Sequence, residues 1–158
     1  MIKMKKSITD DVIKIAKEIH QRIRRHRNNV PDQTREARQI TLEWQKECIT
    51  RLGNHFLEEV RVDNHSKEKI DLLDTKKKIA YEMKVSGNNA HHEFYKDVMK
   101  VIMYNENHKG DEIRKLVFLS EENGISNLKT RINYGKDSKF LNMLKVKHCI
   151  DIELVVIP

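Results

Sequence analysis

The residues of this sequence best suited to chemistry are Asp71, Glu82 and Lys84, in the segment KIDLLDTKKKIAYEMK. Two carboxylates about one side chain apart repel each other, and a hard divalent cation such as Mg²⁺, which prefers oxygen ligands, relieves that repulsion. A lysine beside such a cation can position or deprotonate an attacking water while the metal polarises a phosphoryl oxygen. The three residue types together therefore indicate hydrolysis of a phosphodiester.

Both halves of this segment have the pattern of a β-strand. The apolar row of the second half consists of Ile79, Tyr81, Met83 and Val85. Glu82 and Lys84 therefore fall with Ala80 on the opposite row, because successive side chains of a strand alternate between its faces. In the first half, the same alternation predicts that Ile70 and Leu72 share one face.

A hairpin between the two strands would bring the carboxylates together. If Leu73 pairs with Ala80 across a short loop, Asp71 lies opposite Glu82, within roughly 5.5 Å between backbones. Asp74 is the rival acidic residue, but in this register it lies at the turn, beyond reach of Glu82. The spacing alone is more typical of a solvated strand face that carries weak cross-strand ion pairs.

Length and composition set bounds on the class of protein. With 158 residues the chain is expected to form one domain, residues 1–158, and its net charge of +7 favours partners that carry phosphate or other anions. Cys48 and Cys149 are far apart and match no metal or disulfide spacing, which indicates a reducing cytoplasm. No apolar run approaches the ~20 residues of a membrane span, and no signal peptide is recognised, so no membrane association is expected.

Residues 1–33 are predicted to contain an amphipathic helix. Ser7 and Asp10 are placed as a capping pair at the start of this helix. The helix ends in a basic group that includes Arg24, Arg25 and Arg27. This group either contacts a phosphate backbone or is a solvated helix end that complements the macrodipole.

A second helix is predicted from about Thr34 to Leu57, with Gly53 as an earlier possible end. At 100° per residue, Glu47 falls at the margin of the apolar stripe, whereas Glu43 lies further toward solvent. A carboxylate at that margin either faces a cleft or is an ordinary boundary residue.

The remaining elements complete a mixed α/β fold, with a central mixed β-sheet of four or five strands flanked by helices. They are strands over 59–63, 115–120 and 149–157 and helices over 90–107, 125–132 and 138–144. In helix 90–107, Lys96 and Lys100 are expected on a different side from the inward-facing Phe94. Asn88, His92 and Lys96, around the start of this helix, are candidates for contacts with nucleic acid.

This order of elements and the motif from Ile70-Asp71 to Glu82-Met83-Lys84 resemble the restriction-endonuclease-like superfamily, the PD-(D/E)xK nucleases. The resemblance covers roughly residues 34–158 and leaves the first helix as an addition to the core. The sequence departs from the family pattern at Ile70, where a proline is usual and is frequently replaced.

The resemblance implies a metal site and roles for its residues. Asp71 and Glu82, the backbone carbonyl of Met83 and a helix carboxylate, Glu47, would bind Mg²⁺, for which Mn²⁺ is a possible substitute. Lys84 would assist the attacking water.

The activity implied is that of a magnesium-dependent DNA endonuclease, and a type II restriction endonuclease acting as a homodimer is the first expectation. A Holliday-junction resolvase or another structure-specific nuclease, acting on a junction instead of a duplex, is the alternative within the family. A nucleic-acid-binding module that uses the fold without cutting is the alternative of a different class.

Overall fold

The computed structural model describes residues 6–25 and 33–158, except for the side chains of Arg25, Gln33 and Thr34. The elements in chain order are α1 (Ile8–Arg25), α2 (Gln33–Leu52), β1 (Phe56–Arg61), β2 (Lys69–Asp74), β3 (Ile79–Lys84), α3 (Ala90–Asn107), β4 (Lys115–Ser120), α4 (Glu122–Arg131), α5 (Lys139–His148) and β5 (Asp151–Val156). The predicted α/β architecture, a central mixed sheet with flanking helices, is confirmed.

The five strands form one sheet in the order β1-β2-β3-β4-β5. β1, β2 and β3 pair antiparallel as a meander, whereas β3, β4 and β5 pair parallel. Parallel neighbours need a crossover connection, and α3 and then the α4–α5 pair supply the two crossovers. The carboxyl ends of β3, β4 and β5 consequently lie along one edge of the sheet.

Apolar side chains cover both faces of this sheet. One cluster joins the sheet to α3, α4 and α5 through residues such as Phe94, Phe118 and Leu144. The other joins it to α1 and α2 and includes Trp44, which is fully buried and donates its indole N–H to the carbonyl of Val12 at 3.3 Å. The central strands are therefore covered on both sides, as the continuous apolar run of β4 predicts.

Local signals explain where α1 and α2 begin and end. Ser7 N–H donates to Asp10 Oδ2 at 3.1 Å and Asp10 N–H donates to Ser7 Oγ at 3.2 Å, so the predicted capping pair is confirmed. Helix α2 ends at Leu52 because Gly53 adopts a left-handed φ of 118°, a common helix terminator. Phe56 and Leu57, expected at the end of this helix, instead begin β1.

In the described ranges, 6–25 and 33–158, no helix has the length and apolar character needed to cross a membrane.

Candidate active site

The β2–β3 hairpin has the predicted register. Leu73 pairs with Ala80, and the four-residue loop between the strands runs from Thr75 to Lys78. The ladder extends only to the pair Leu72–Tyr81. One step further along the same register, Asp71 lies opposite Glu82, at the end of the hairpin that is distant from the loop.

At this end of the hairpin, hydrogen bonds to side chains take the place of backbone hydrogen bonds between β2 and β3. Asp71 N–H donates to Glu82 Oε1 at 3.1 Å, and Met83 N–H donates to Asp71 Oδ2 at 3.0 Å. Each carboxyl therefore accepts a backbone N–H of the opposite strand. Glu82 is 2% exposed, whereas Asp71 is partly exposed to solvent.

A distortion of β1 makes this arrangement possible. Glu58 pairs with Leu72 and Val60 with Ile70, but Glu59 between them has a φ of 50° and is not paired with Asp71. A left-handed conformation is costly for a residue other than glycine, and such positions cluster at functional sites. The break leaves both backbone groups of Asp71 available to side chains.

The carbonyl of Asp71 is taken by helix α2. Gln45, which is fully buried, donates from Nε2 to Asp71 O at 2.8 Å and to Glu59 Oε1 at 3.2 Å. The oxygen of the same amide, Oε1, makes no hydrogen bond with the described residues. The distortion at Asp71 also separates Ile70 and Leu72, which pack into opposite core clusters, so the expectation that they share a face is wrong.

Helix α3 contributes a buried lysine that sequence reasoning placed outside the core. Lys100 Nζ donates to Glu82 Oε1 at 3.0 Å, lies 2.9 Å from Asp97 Oδ1, and donates to the carbonyl of Lys69 at 2.8 Å. Lys100 and Asp97 are 7% and 4% exposed. The expectation that Lys100 lies away from the inward side of α3 is therefore wrong.

Burial and crowding make ionisation of these carboxyls unfavourable. Burial raises the pKa of Asp71, and the hydrogen bond from Met83 N–H and the charge of Lys100 offset part of that rise. Burial, and then the negative charges of Asp71 and Asp97, raise the pKa of Glu82 well above its usual value. Burial raises the pKa of Asp97 to about 7 although Lys100 lowers it. Glu82 lowers the pKa of Asp71 in part, whereas the charge of Asp71 raises the pKa of Glu82, so the proton of this pair is held more readily by Glu82.

Lys84, the predicted water-assisting residue, follows Glu82 by two positions and pairs in register with Ser120 at the end of β3. It is partly exposed and lines a groove of about 320 Å³ together with Arg38 and Thr41 of α2. Its ammonium makes no hydrogen bond or ion pair with the described residues. Lys84 is therefore available to a water molecule or an anion, whereas Lys100 already has two hydrogen bonds and an ion pair with Asp97.

The structure does not bring Glu47 to the carboxylate pair. Glu47 Oε2 accepts from Arg51 Nε at 2.7 Å, and Arg51 in turn pairs with Glu18 of α1 at 3.0 Å. Glu43 pairs with Arg22, also on α1. The expected helix carboxylate is thus turned toward α1, and the α2 residue that reaches Asp71 is Gln45, about half a helical turn away.

Asp74, the rival of Asp71, is fully buried at the closed end of the hairpin. Its Oδ1 accepts the backbone N–H of Lys76 at 3.0 Å and of Lys77 at 2.9 Å, a local arrangement typical of aspartate in turns. The prediction that Asp74 belongs to the turn is confirmed.

The oxygen donors around Asp71 and Glu82 suit a magnesium ion. The N–H of Met83 points toward Asp71, and the N–H and C=O of a strand residue face the same neighbouring strand, so the Met83 carbonyl lies on the same side. Mg²⁺ is commonly bound by one or two carboxylates that leave other positions to water and phosphate. No group of three or more acidic, histidine or cysteine side chains able to hold a metal occurs in the described part of the chain. The donor set is therefore of the two-carboxylate kind.

The candidate nucleic-acid contacts are scattered. Arg24 pairs with Glu36 at 3.2 Å and with Glu121, so its charge is balanced within the protein. The side chain of Arg25 and all of Arg27 lie outside the described residues.

The candidates around the start of α3 are exposed. Asn88 and His92 face solvent, and so does Lys96, whose Nζ lies 3.6 Å from Glu68 Oε2. These three side chains remain free enough to meet an external ligand, because an ion pair at the surface is weak.

Gln45, Asp97 and Lys100 were not predicted as site residues. Asp97 follows Phe94 by three positions and precedes Val101 by four, so an acidic residue inside the apolar stripe of α3 was a signal present in the sequence. No comparable signal marks Gln45.

Comparison of the chain with protein-family models, with curated proteins and with solved structures finds no match.

Proposed function

We propose that this protein is a magnesium-dependent DNA endonuclease whose active centre is the open end of the β2–β3 hairpin. The observation that carries the proposal is the facing pair of carboxyls, Asp71 and Glu82, each accepting a backbone N–H of the other strand. Two neighbouring carboxyls of this kind either share a proton or bind a cation. Ionising both of them with neither a proton nor a cation between them costs much free energy.

The chain's residues would divide the work as follows. Asp71 and Glu82 would hold the cation, with the carbonyl of Met83 as a third protein oxygen, and Mn²⁺ is a possible replacement for Mg²⁺. The bound ion supplies polarisation of a phosphoryl oxygen and a lower pKa for water. Lys84, whose ammonium has no partner among the described residues, would orient the attacking water and the scissile phosphate.

DNA is the substrate we infer from charge. The net charge of +7 favours a polyanion, and Asp71 of the carboxyl pair is partly exposed to solvent. A restriction-type enzyme that cuts duplex DNA as a homodimer is our first proposal, because one centre cuts one strand and a duplex has two. A junction resolvase would use the same active centre but would cut a four-way junction instead of a duplex. We place the protein in the cytoplasm, since both of its cysteines are free thiols.

A non-catalytic nucleic-acid-binding module is the second candidate. It is favoured by the ion pair between Lys100 and Glu82, which partly neutralises the carboxyls without a metal ion. In that case the buried charges would serve the fold alone, and the protein would bind DNA without cutting it.

Cleavage of supercoiled plasmid and of a four-way junction with Mg²⁺ separates these functions. We expect cutting in Mg²⁺ and binding without cutting in Ca²⁺. Asp71→Asn, Glu82→Gln and Lys84→Met should each lower the rate by at least about 100-fold, since each removes a group required in the transition state. Lys76→Met, which removes an exposed charge at the closed end of the same hairpin, is the matched control and should cut like the parent.

The outcomes are distinct. Discrete duplex fragments support the restriction-type enzyme, and cutting of the junction alone supports the resolvase. Salt-dependent binding with no cutting in Mg²⁺ or Mn²⁺ supports the binding module. Undiminished cutting by Asp71→Asn and Lys84→Met would show that the centre lies elsewhere.

A further inference from the structure

The buried Lys100 is held by three partners. Lys100 Nζ donates to Glu82 Oε1 at 3.0 Å and to the carbonyl of Lys69 at 2.8 Å, and it forms an ion pair with Asp97 Oδ1 at 2.9 Å. With only 7% of Lys100 exposed, little water competes for them. The ammonium is therefore a fixed positive charge beside Glu82.

The charges around Lys100 do not balance. Asp71, Glu82 and Asp97 are within one network, and Lys100 is its only described cation. With all carboxyls ionised, the network keeps two negative charges, which is the charge of one divalent ion. Buried charge is costly unless it is compensated, so the network is completed either by protons on its carboxyls or by a divalent cation.

One atom is shared between Lys100 and the proposed cation site. Glu82 Oε1 accepts from both Lys100 Nζ and Asp71 N–H, so Lys100 already occupies part of the coordinating capacity of Glu82. Asp97 and the carbonyl of Lys69 remain as partners when Glu82 turns toward another cation. Lys100 can thus release Glu82 without becoming an unpaired buried charge.

We propose that the buried ammonium of Lys100 competes with the divalent ion for Glu82. Asp97 is the partner that keeps Lys100 paired when Glu82 binds the divalent ion. This inference rests on the proposed cation site and adds to it a determinant of affinity. Lys100 is a positioning residue: it acts through Glu82 and sets how much free divalent ion the site needs. Asp97 favours binding because it retains Lys100 when Glu82 is released.

Thermal unfolding in EDTA and across a Ca²⁺ titration tests the proposal without any cleavage assay. Ca²⁺ replaces Mg²⁺ so that no reaction occurs. Lys100→Met should be less stable than the parent in EDTA, and Ca²⁺ should restore its stability, because the divalent ion replaces the lost ammonium. The Ca²⁺ midpoint, taken as the dissociation constant that fits the continuing rise of Tm with Ca²⁺ concentration, should fall at least about tenfold relative to the parent, since a nearby positive charge has been removed.

Two further variants fix the interpretation. Asp97→Asn should shift the same midpoint at least about threefold in the opposite direction, because Lys100 then depends on Glu82 alone among side chains. Lys96→Met removes the exposed lysine one turn earlier on α3 and changes net charge equally, yet its midpoint should stay within about twofold of the parent.

Each possible result either supports or overturns the competition between Lys100 and the divalent ion. An unchanged or higher Ca²⁺ midpoint for folded Lys100→Met overturns the competition. Folding of Lys100→Met only in the presence of Ca²⁺ supports it. If Lys100→Met folds under neither condition, Asp97→Asn decides, and a Ca²⁺ midpoint equal to the parent's overturns the proposal. A response to Ca²⁺ with no DNA cleavage contradicts the nuclease alone, whereas cleavage with no shift in Lys100→Met contradicts this inference alone.

Discussion

Asp71 and Glu82 connect β2 and β3 at the end of the hairpin that is distant from its loop. Asp71 N–H donates to Glu82 Oε1 at 3.1 Å, and the N–H of Met83, next to Glu82, donates to Asp71 Oδ2 at 3.0 Å. The two groups proposed to bind the cation also replace the last rungs of the β2–β3 ladder. They therefore position each other, and the arrangement favours any positive charge that arrives between them. Their neighbours determine how strongly it does so.

The charge on Asp71 should reduce stability when no cation is bound. Its pKa is raised in the folded protein, so the folded state holds the proton more tightly than the unfolded state, and stability is lost as pH rises through the folded pKa. Asp71→Asn keeps an oxygen for Met83 N–H without the charge. We expect its Tm at pH 8 in EDTA to exceed that of the parent by about 2–4 °C, corresponding to about 1 kcal/mol for this size of domain. Differential scanning calorimetry measures it, and a lower Tm would contradict this prediction.

Asp74 should matter for the turn and not for cleavage. Its Oδ1 accepts the N–H groups of Lys76 and Lys77, and Asp74→Ala leaves both without that acceptor. We expect a loss of about 1–2 kcal/mol in unfolding free energy, comparable with loss of a helix cap. The rate of Mg²⁺-dependent cutting, measured below the lowered Tm, should stay within about threefold of the parent. A loss of cutting rate as large as that of Asp71→Asn would indicate that the active centre lies at the loop end of the hairpin.

Gln45 and Glu47 give opposite expectations two positions apart on α2. Gln45→Ala removes the donor to Asp71 O and opens a buried space, so we expect a loss of about 1–3 kcal/mol together with at least tenfold slower cutting. Glu47→Ala removes an exposed pair with Arg51 and should change stability by less than about 1 kcal/mol and leave cutting unchanged. Urea unfolding and plasmid cleavage measure both. If Glu47→Ala cuts slowly and Gln45→Ala does not, Glu47 is the helix carboxylate of the site after all.

Asp97 should make stability depend on pH near neutrality. Burial raises its pKa from the reference value of 3.8 to about 7 in the folded protein. Because the folded pKa is the higher one, the parent loses stability as pH rises from about 4 to 7, and Asp97→Asn lacks that loss. The stability of the variant relative to the parent should therefore rise over this range, by at most about 4 kcal/mol. Urea unfolding at a series of pH values in EDTA measures the trend, and a difference independent of pH would contradict it.

The hairpin was predictable because its determinants are local. Alternation fixed the faces of β3, and the distance between Leu73 and Ala80 in the chain left a loop of the right length, so the position of Asp71 opposite Glu82 followed. Asp74 could be assigned to the turn by the same reasoning. Helix α3 was equally clear, since its predicted range coincides with Ala90–Asn107.

The surroundings of the pair were not predictable because they depend on contacts distant in sequence. The left-handed φ of Glu59 is stabilised by neighbours and not by its own preference, and Gln45 is selected only once β1 and β2 lie against α2. Lys100 was expected at the surface because lysine is rarely buried without a partner. Its partners, Glu82 and Asp97, lie on two different elements, so amphipathic periodicity alone could not reveal them.

The left-handed conformation of Glu59 also limits how a second chain could add to this sheet. β1 is an edge strand, and a flat edge offers unpaired backbone groups on which a second chain can continue the sheet. A left-handed residue in the middle of β1, next to the charged Glu58 and near Arg61, makes that edge a poor template for strand addition. If the protein acts as the proposed homodimer, its subunits should therefore associate through helices or through β5, the strand at the other edge of the sheet.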